Sequence, residues 1–246
     1  MRSAGSRFAA SVVLAALLHV GAAPARPQPP TAVVAAVEEA LREERGLRDL
    51  EVAVDGGDVT LAGEVATFWL KHAALQRALN VPGVRTVVSE ITVPAGETDA
   101  RLAEEVGRVL RNYPDMTVWD FVGASVDRGV VTLAGWVTPE LDKAGEIFER
   151  IARLRGVQDI RNGIEPLPAT LQDDRLRQAI RRRVFGSLTF MRFAGPRPPP
   201  FRILVSNGSV TLAGYVQNDL ERRELELMVG EIQGVGQISN QLQSLR

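Results

Sequence analysis

Apolar residues along this chain alternate between two spacings. Val33, Val34, Val37 and Leu41 recur at helical intervals, with Glu38, Glu39, Arg42 and Glu43 on the other face. This pattern predicts an amphipathic helix capped by Thr31 and stopped by Gly46. Leu50, Val52 and Val54 then alternate with Glu51 and Ala53, as in a half-buried strand. Asp55-Gly56-Gly57-Asp58 supplies turn residues before Val59, Leu61 and Val65 resume the alternation, which predicts a β-hairpin. A second helix is expected from about Thr67 to Asn80, ended by Pro82-Gly83, and Val84, Val87, Val88, Ile91 and Val93 form a last strand.

The same order, helix-strand-strand-helix-strand, recurs twice. In the second unit Leu102, Val106, Val109 and Leu110 make the first helical stripe, and Asn112-Tyr113-Pro114-Asp115 breaks it. A strand is predicted from Val118 to Val126, and Asp127-Arg128-Gly129 turns into the next. Thr138 is expected to cap the second helix with Pro139 in its first turn, before Leu141, Ala144, Ile147, Ile151 and Leu154. In the third unit Asp173 and Asp174 oppose the positive helix end ahead of Leu176, Ile180 and Val184. A long connection, Phe185 to Pro200, separates that helix from the strands Phe201–Val205 and Val210–Val216. Leu220, Leu225, Met228, Val229 and Ile232 mark the last helix, and Val235, Ile238 and Leu242 the last strand.

One pentapeptide ties the three units together. Val-Thr-Leu-Ala-Gly stands at Val59–Gly63, Val131–Gly135 and Val210–Gly214. Val54, Val126 and Val205 precede its glycine by nine residues, and Gly-Val follows it by twenty or twenty-one. Identity in one register with matching flanks makes the chain a tandem array of one module. A tight turn makes the first two strands antiparallel, and a helical crossover makes the next pair parallel. The expected class is α+β: three small modules, each α-β-β-α-β, with a three-stranded mixed sheet covered on one face by two helices. The glycines Gly63, Gly135 and Gly214 lie within a strand, where glycine marks a bulge or a close backbone approach by a neighbouring strand or the second helix's start.

The modules are read as 31–97, 98–170 and 171–246, the last with an insertion at 186–200. Residues 1–25 are read as a secretory signal. Arg2 and Arg7 form its basic start, Phe8 to Val20 its short apolar run, and Ala23 or Ala25 its cleavage point, with an uncleaved anchor as the alternative. A Pro-rich spacer at 26–30 follows. The absence of cysteine removes disulfides, thiolate sites and lipoprotein acylation, so stability must come from apolar burial within and between modules. Net charge is −1 overall, which argues against wholesale nucleic-acid binding. Its distribution differs by module. Residues 31–97 hold six Arg and Lys against eleven Asp and Glu, residues 98–170 nine against twelve, and residues 171–246 eleven against seven. The third module alone is basic, and entirely through arginine.

The string strand, turn, Val-Thr-Leu-x-Gly-x-Val, helix, Gly-Val, strand, with Asn162 or Asn240 six residues past the Gly of the Gly-Val pair, resembles the BON domain. That family is named for osmotic-stress and nodulation proteins of bacteria. The first module departs from the pattern with Ser89 at the Asn position, and the third with its insertion. The resemblance implies a periplasmic, non-enzymatic module associated with phospholipid membranes and envelope stress.

Candidate chemistry is sparse. His19 lies in the signal and His72 stands alone on a helix, so no histidine-based metal or Ser-His site is expected, and neither metal nor cofactor is anticipated. Gly123-Ala124-Ser125-Val126-Asp127 lacks the second glycine of a nucleophile elbow and lies on a repeat strand. In the third module Arg177, Arg181 and Arg182 are expected to share a helix face opposite the apolar stripe, followed by Phe185, Phe190, Met191, Arg192, Phe193 and Arg197. Arginines beside exposed aromatics suit an anionic phospholipid surface, each cation near such a surface contributing roughly 1 kcal/mol. The alternative is that Phe190 and Phe193 fold back over the module core and leave the arginines as a solvated face. Trp136 and Tyr215 directly follow the repeat glycine where the first module has Glu64, an outward position suited to contact with another module or with an envelope protein partner, which a scaffold would bind through these aromatics or its sheet edges.

Overall fold

The computed structural model describes residues 30–195 and 197–246. The expected signal lies outside the described residues, as does the spacer except Pro30, which opens the first helix. The first module comprises α1 (Pro30–Arg42), β1 (Glu51–Asp55), β2 (Asp58–Glu64), α2 (Phe68–Leu79) and β3 (Thr86–Thr92). The second comprises α3 (Asp99–Arg111), β4 (Phe121–Asp127), β5 (Val130–Val137), α4 (Lys143–Ala152) and β6 (Asp159–Pro166). The third comprises α5 (Leu171–Phe185), β7 (Phe201–Ser206), β8 (Ser209–Val216), α6 (Asp219–Gly230) and β9 (Ile238–Ser244).

Each sheet has three strands in chain order, the first pair antiparallel and the second parallel. Alternate side chains of each central strand enter a core shared with the two helices, as Val59 and Leu61 do with Val33, Val37, Leu41, Ala74 and Ala78. The α+β module and its mixed sheet therefore stand as the apolar periodicity predicts. Local boundaries shift. Thr31 lies inside α1 instead of capping it, and Gly46 sits in a 3-10 turn, Arg45–Leu47, beyond the helix end. Helix α4 starts at Lys143 under an Asp142 cap, whose carboxylate accepts from the Gly145 amide at 3.0 Å. Thr138 lies too far ahead of that start to cap it, and its hydroxyl instead accepts from the Lys143 ammonium at 2.8 Å.

All three repeat glycines have left-handed φ angles, +131°, +144° and +93° for Gly63, Gly135 and Gly214. A Cβ at Gly135 would collide with the Phe121 carbonyl, and one at Gly214 would sit 2.5 Å from the Pro200 carbonyl oxygen. At Gly63 the neighbour is the Leu50 side chain, 3.0 Å away. In the second and third modules the close approach comes from the entry to the preceding strand and not from the second helix.

Modules are joined through their interiors. Phe68, on α2 of the first module, belongs to the second module's core, and its ring meets Phe148 of α4 edge-on at 6.3 Å. His72 meets the same Phe148 ring at 5.1 Å, and the Arg153 guanidinium lies 4.5 Å over Trp69. At the next junction Val118, between α3 and β4, is buried in the third module's core. The Ile203 amide of β7 donates to its carbonyl at 2.8 Å. Val118 and Trp119, expected in the first strand of their module, instead precede it.

The acidic residues near the starts of α3 and α5 hold the hairpin turns. Asp99 accepts from the Arg128 and Gly129 amides at 2.6 and 2.9 Å. Asp173, fully buried, accepts from the Asn207 and Gly208 amides, both at 2.9 Å. Arg128 and Asn207 have φ near +50°, a left-handed conformation that these turn amide bonds help to hold.

Candidate functional site

The turn Thr117-Val118-Trp119-Asp120 places a carboxylate at the junction of the second and third modules. Thr117 donates to Asp120 Oδ2 through both its amide and its hydroxyl, each at 2.7 Å. Lys143 Nζ donates to the same oxygen at 2.7 Å, and the Thr138 amide donates to Oδ1 at 2.7 Å. Asp120 is fully buried and Lys143 is 3% exposed. Burial pushes the Arg202 guanidinium of the third module below its usual pKa, while Asp120 opposes that shift. This cluster escaped the sequence reading. Its available signal was Thr117-x-x-Asp120, a side chain placed to close back on a backbone amide three residues away.

Beside this cluster a cleft of about 940 Å³ separates the two modules, lined on one side by Met116, Thr117, Trp119 and Lys143 and on the other by α5 and the insertion. The α5 wall carries Asp174, Arg177, Gln178, Arg181, Arg182 and Phe185, and the insertion adds Arg197. These positions follow from helical spacing: Leu176, Ile180 and Val184 turn into the core, leaving the other face to the cleft. Arg181, Arg182 and Arg197 are exposed and form no ion pair among the described residues. Two carboxylates, Asp115 and Glu140, also line the cleft.

Arg177 does not stand with them as a free cation. It is 6% exposed, donates from Nη1 to Asp174 at 2.7 Å and from Nη2 to the Val205 carbonyl at 3.1 Å. Its buried Nε has no hydrogen-bond partner among the described residues. The expected three-arginine surface is corrected here, because position 177 lies where α5 meets β7 and not opposite the stripe.

The insertion is corrected in part. Phe190 is fully buried, its ring edge-on to Phe201 at 5.7 Å, and Phe193 packs half-buried against the same ring at 5.5 Å. Phe185 stacks on Phe201 at 6.4 Å. Of the two open readings, the insertion aromatics follow the core-lid one, since one large strand aromatic offers them apolar contact. Arg192 donates to the Thr189 carbonyl and to Glu221, both at 2.7 Å, and lies 4.4 Å over the Phe193 ring. Met191 remains 55% exposed, beside Leu188 at 91%.

Trp136 and Tyr215 lie on open sheet faces, 44% and 48% exposed. Trp136 opposes the exposed Phe121 across β4 and β5. Next on that face comes a row of small residues, Gly123, Ala134 and Gly163. Burial lowers the pKa of His72, which sits half-buried at the junction of the first two modules. Among the described residues no three His, Asp or Glu side chains gather as metal ligands, and no helix is long and apolar enough to cross a membrane.

With the fold in view, a family model for the BON domain matches residues 31–95, 98–166 and 172–245. The chain belongs to the BON domain family. Its three BON modules fall where the Val-Thr-Leu-Ala-Gly repeat places them. No curated protein matches the chain. Among solved structures it is similar to the C-terminal domain of CdsD, described as the structural protein of the type III secretion system of Chlamydia trachomatis. The identity is 15%, with 87% of this chain and 98% of that one covered and a TM-score of 0.24. A second structure of CdsD shows 14% identity over 86% of this chain and 91% of that chain, with a TM-score of 0.25. TM-scores this small carry no argument about the arrangement or partners of the BON array.

Proposed function

We propose that this BON array is a non-enzymatic envelope protein of the periplasm, exported through its N-terminal signal, and that its third module attaches it to anionic phospholipid. The supporting observation is the set Arg181, Arg182 and Arg197, without ion pairs among the described residues, on the one module with a basic balance. Arginine presents a planar fork of donors suited to phosphate oxygens. Phe190 takes no part in this reading, and the apolar contribution falls to Leu188 and Met191 of the insertion. A role in osmotic or envelope stress is part of the same proposal, and it follows from the family alone. The test is flotation with phosphatidylglycerol vesicles at low and high salt. Wild-type protein is expected to float at low salt only. Equal flotation after Arg181→Glu and Arg182→Glu, or no flotation of wild type, refutes the reading.

A second reading, an envelope scaffold, draws on the paired aromatics Phe121 and Trp136 on an open sheet face. Under it a Trp136→Ala, Tyr215→Ala variant loses a protein partner in pull-downs from envelope extract while its vesicle flotation is unchanged.

A further inference from the structure

Two clefts of comparable size separate neighbouring modules, and their charges are arranged differently. In the first, about 790 Å³ between the first and second modules, Arg101 lies near Glu105, Arg128 near Asp127 and Arg153 near Glu149, so only Arg155 is unpaired. In the second, Lys143 is occupied by Asp120 and Arg177 by Asp174, yet three further arginines have no ion-pair partner among the described residues and outnumber the two remaining carboxylates, Asp115 and Glu140. Arg181 and Arg182 reach it from α5, and Arg197 reaches it from the end of the insertion. Three guanidinium groups lining one cleft give it a positive potential that attracts an anion. Arg177 backs the same wall, its two terminal nitrogens taken by Asp174 and by the Val205 carbonyl, so its side chain is fixed behind the exposed pair.

We infer that the cleft between the second and third modules is a binding site for a single phosphate group, gripped by Arg181, Arg182 and Arg197. The inference rests on the phospholipid reading for its ligand chemistry and goes further in placing the group between modules. A phosphate diester headgroup and a free phosphate share that chemistry. Trp119, half-buried against the third module's core, and Thr117 form the opposite wall. Thr117 directs its amide and hydroxyl to Asp120, so the group is held from the third-module side, and seated against this wall it limits the opening that would part the Ile203 amide from the Val118 carbonyl.

The experiment uses the full chain in a buffer free of phosphate. Inorganic phosphate and sn-glycerol 3-phosphate are titrated by calorimetry, and amide exchange at Ile203 is followed with and without them. Saturable binding is expected, weakened about fivefold for each of Arg181→Gln, Arg182→Gln and Arg197→Gln and roughly 25-fold for two together. Exchange at Ile203 slows on binding in wild type and does not change in the double variant. Thermal unfolding of these surface variants shows that they remain folded. No saturable heat with either probe, or binding that all three substitutions leave intact, overturns the site. Phosphatidylglycerol vesicles form a separate arm: if the soluble probes bind and vesicles do not, the site takes free phosphate and the membrane reading fails. If vesicles bind but neither probe does, and the three substitutions leave flotation unchanged, the cleft fails while attachment by another surface stands.

Discussion

Replacing Asp120 with asparagine removes one negative charge from a place that solvent does not reach. Four donors converge on this carboxylate at 2.7 Å, two from Thr117, one from Thr138 and one from Lys143. With asparagine in its place the Lys143 ammonium, 3% exposed, has only neutral oxygens to face. Breaking a buried pair from one side typically costs about 3–5 kcal/mol, because the remaining charge stays desolvated. The loss is expected in urea unfolding followed in parallel by tryptophan fluorescence and far-ultraviolet circular dichroism, since non-coincident curves would show modules unfolding separately. A Lys143→Met change in the Asp120→Asn background removes the stranded charge. The double variant should therefore lose at least about 1 kcal/mol less than the two single losses added together. A single-variant loss below about 1 kcal/mol, or strict additivity, refutes the view that this pair acts as a buried coupled unit.

Three further outcomes follow from the same coordinates. Gly135→Ala should destabilise the second module by more than about 2 kcal/mol, from left-handed strain and the Phe121 carbonyl, whereas Gly63→Ala should cost less because it meets a movable Leu50 side chain; equal losses in thermal unfolding would contradict this. Phe190→Ala should cost about 3–5 kcal/mol by opening a cavity against Phe201, and an unchanged unfolding midpoint would show that the insertion is not fastened there. Burial holds the pKa of His72 below its ordinary 6.5, so the unfolded chain takes up the proton first. The neutral side chain's contribution is therefore full above that pH and is lost as pH falls toward the depressed folded value; His72→Phe should flatten this slope in stability measured against pH.

Much of the architecture was legible because each module repeats its apolar spacing, and three copies confirm one another. Local roles were misread or only partly read where a polar side chain had a partner that apolar periodicity does not reveal. Thr138 reads locally as a cap, but the helix begins later, under Asp142, and Lys143 takes its hydroxyl; Asp173 stands in the first turn of its helix as expected, and in addition it grips a turn thirty-four residues away. Arg177 was misplaced, and Phe190 was left open between two readings, for a related reason. Helical spacing ranks faces by polarity, and a guanidinium that reaches a strand carbonyl, or a loop ring that finds Phe201, leaves no local periodic trace. The arginine-rich face was visible as composition, while the cleft it lines required the neighbouring module to be in place.

Val118 has a bearing on how this chain can be divided. The repeat suggests cutting between residues 170 and 171, yet a fragment begun at 171 would leave behind a side chain that fills its own hydrophobic centre, and with it the acceptor for Ile203. Phe68 creates the same debt one module earlier, to the second module's interior. The sequence repeat and the folding unit are thus offset from one another, each module after the first being completed by a residue its predecessor supplies.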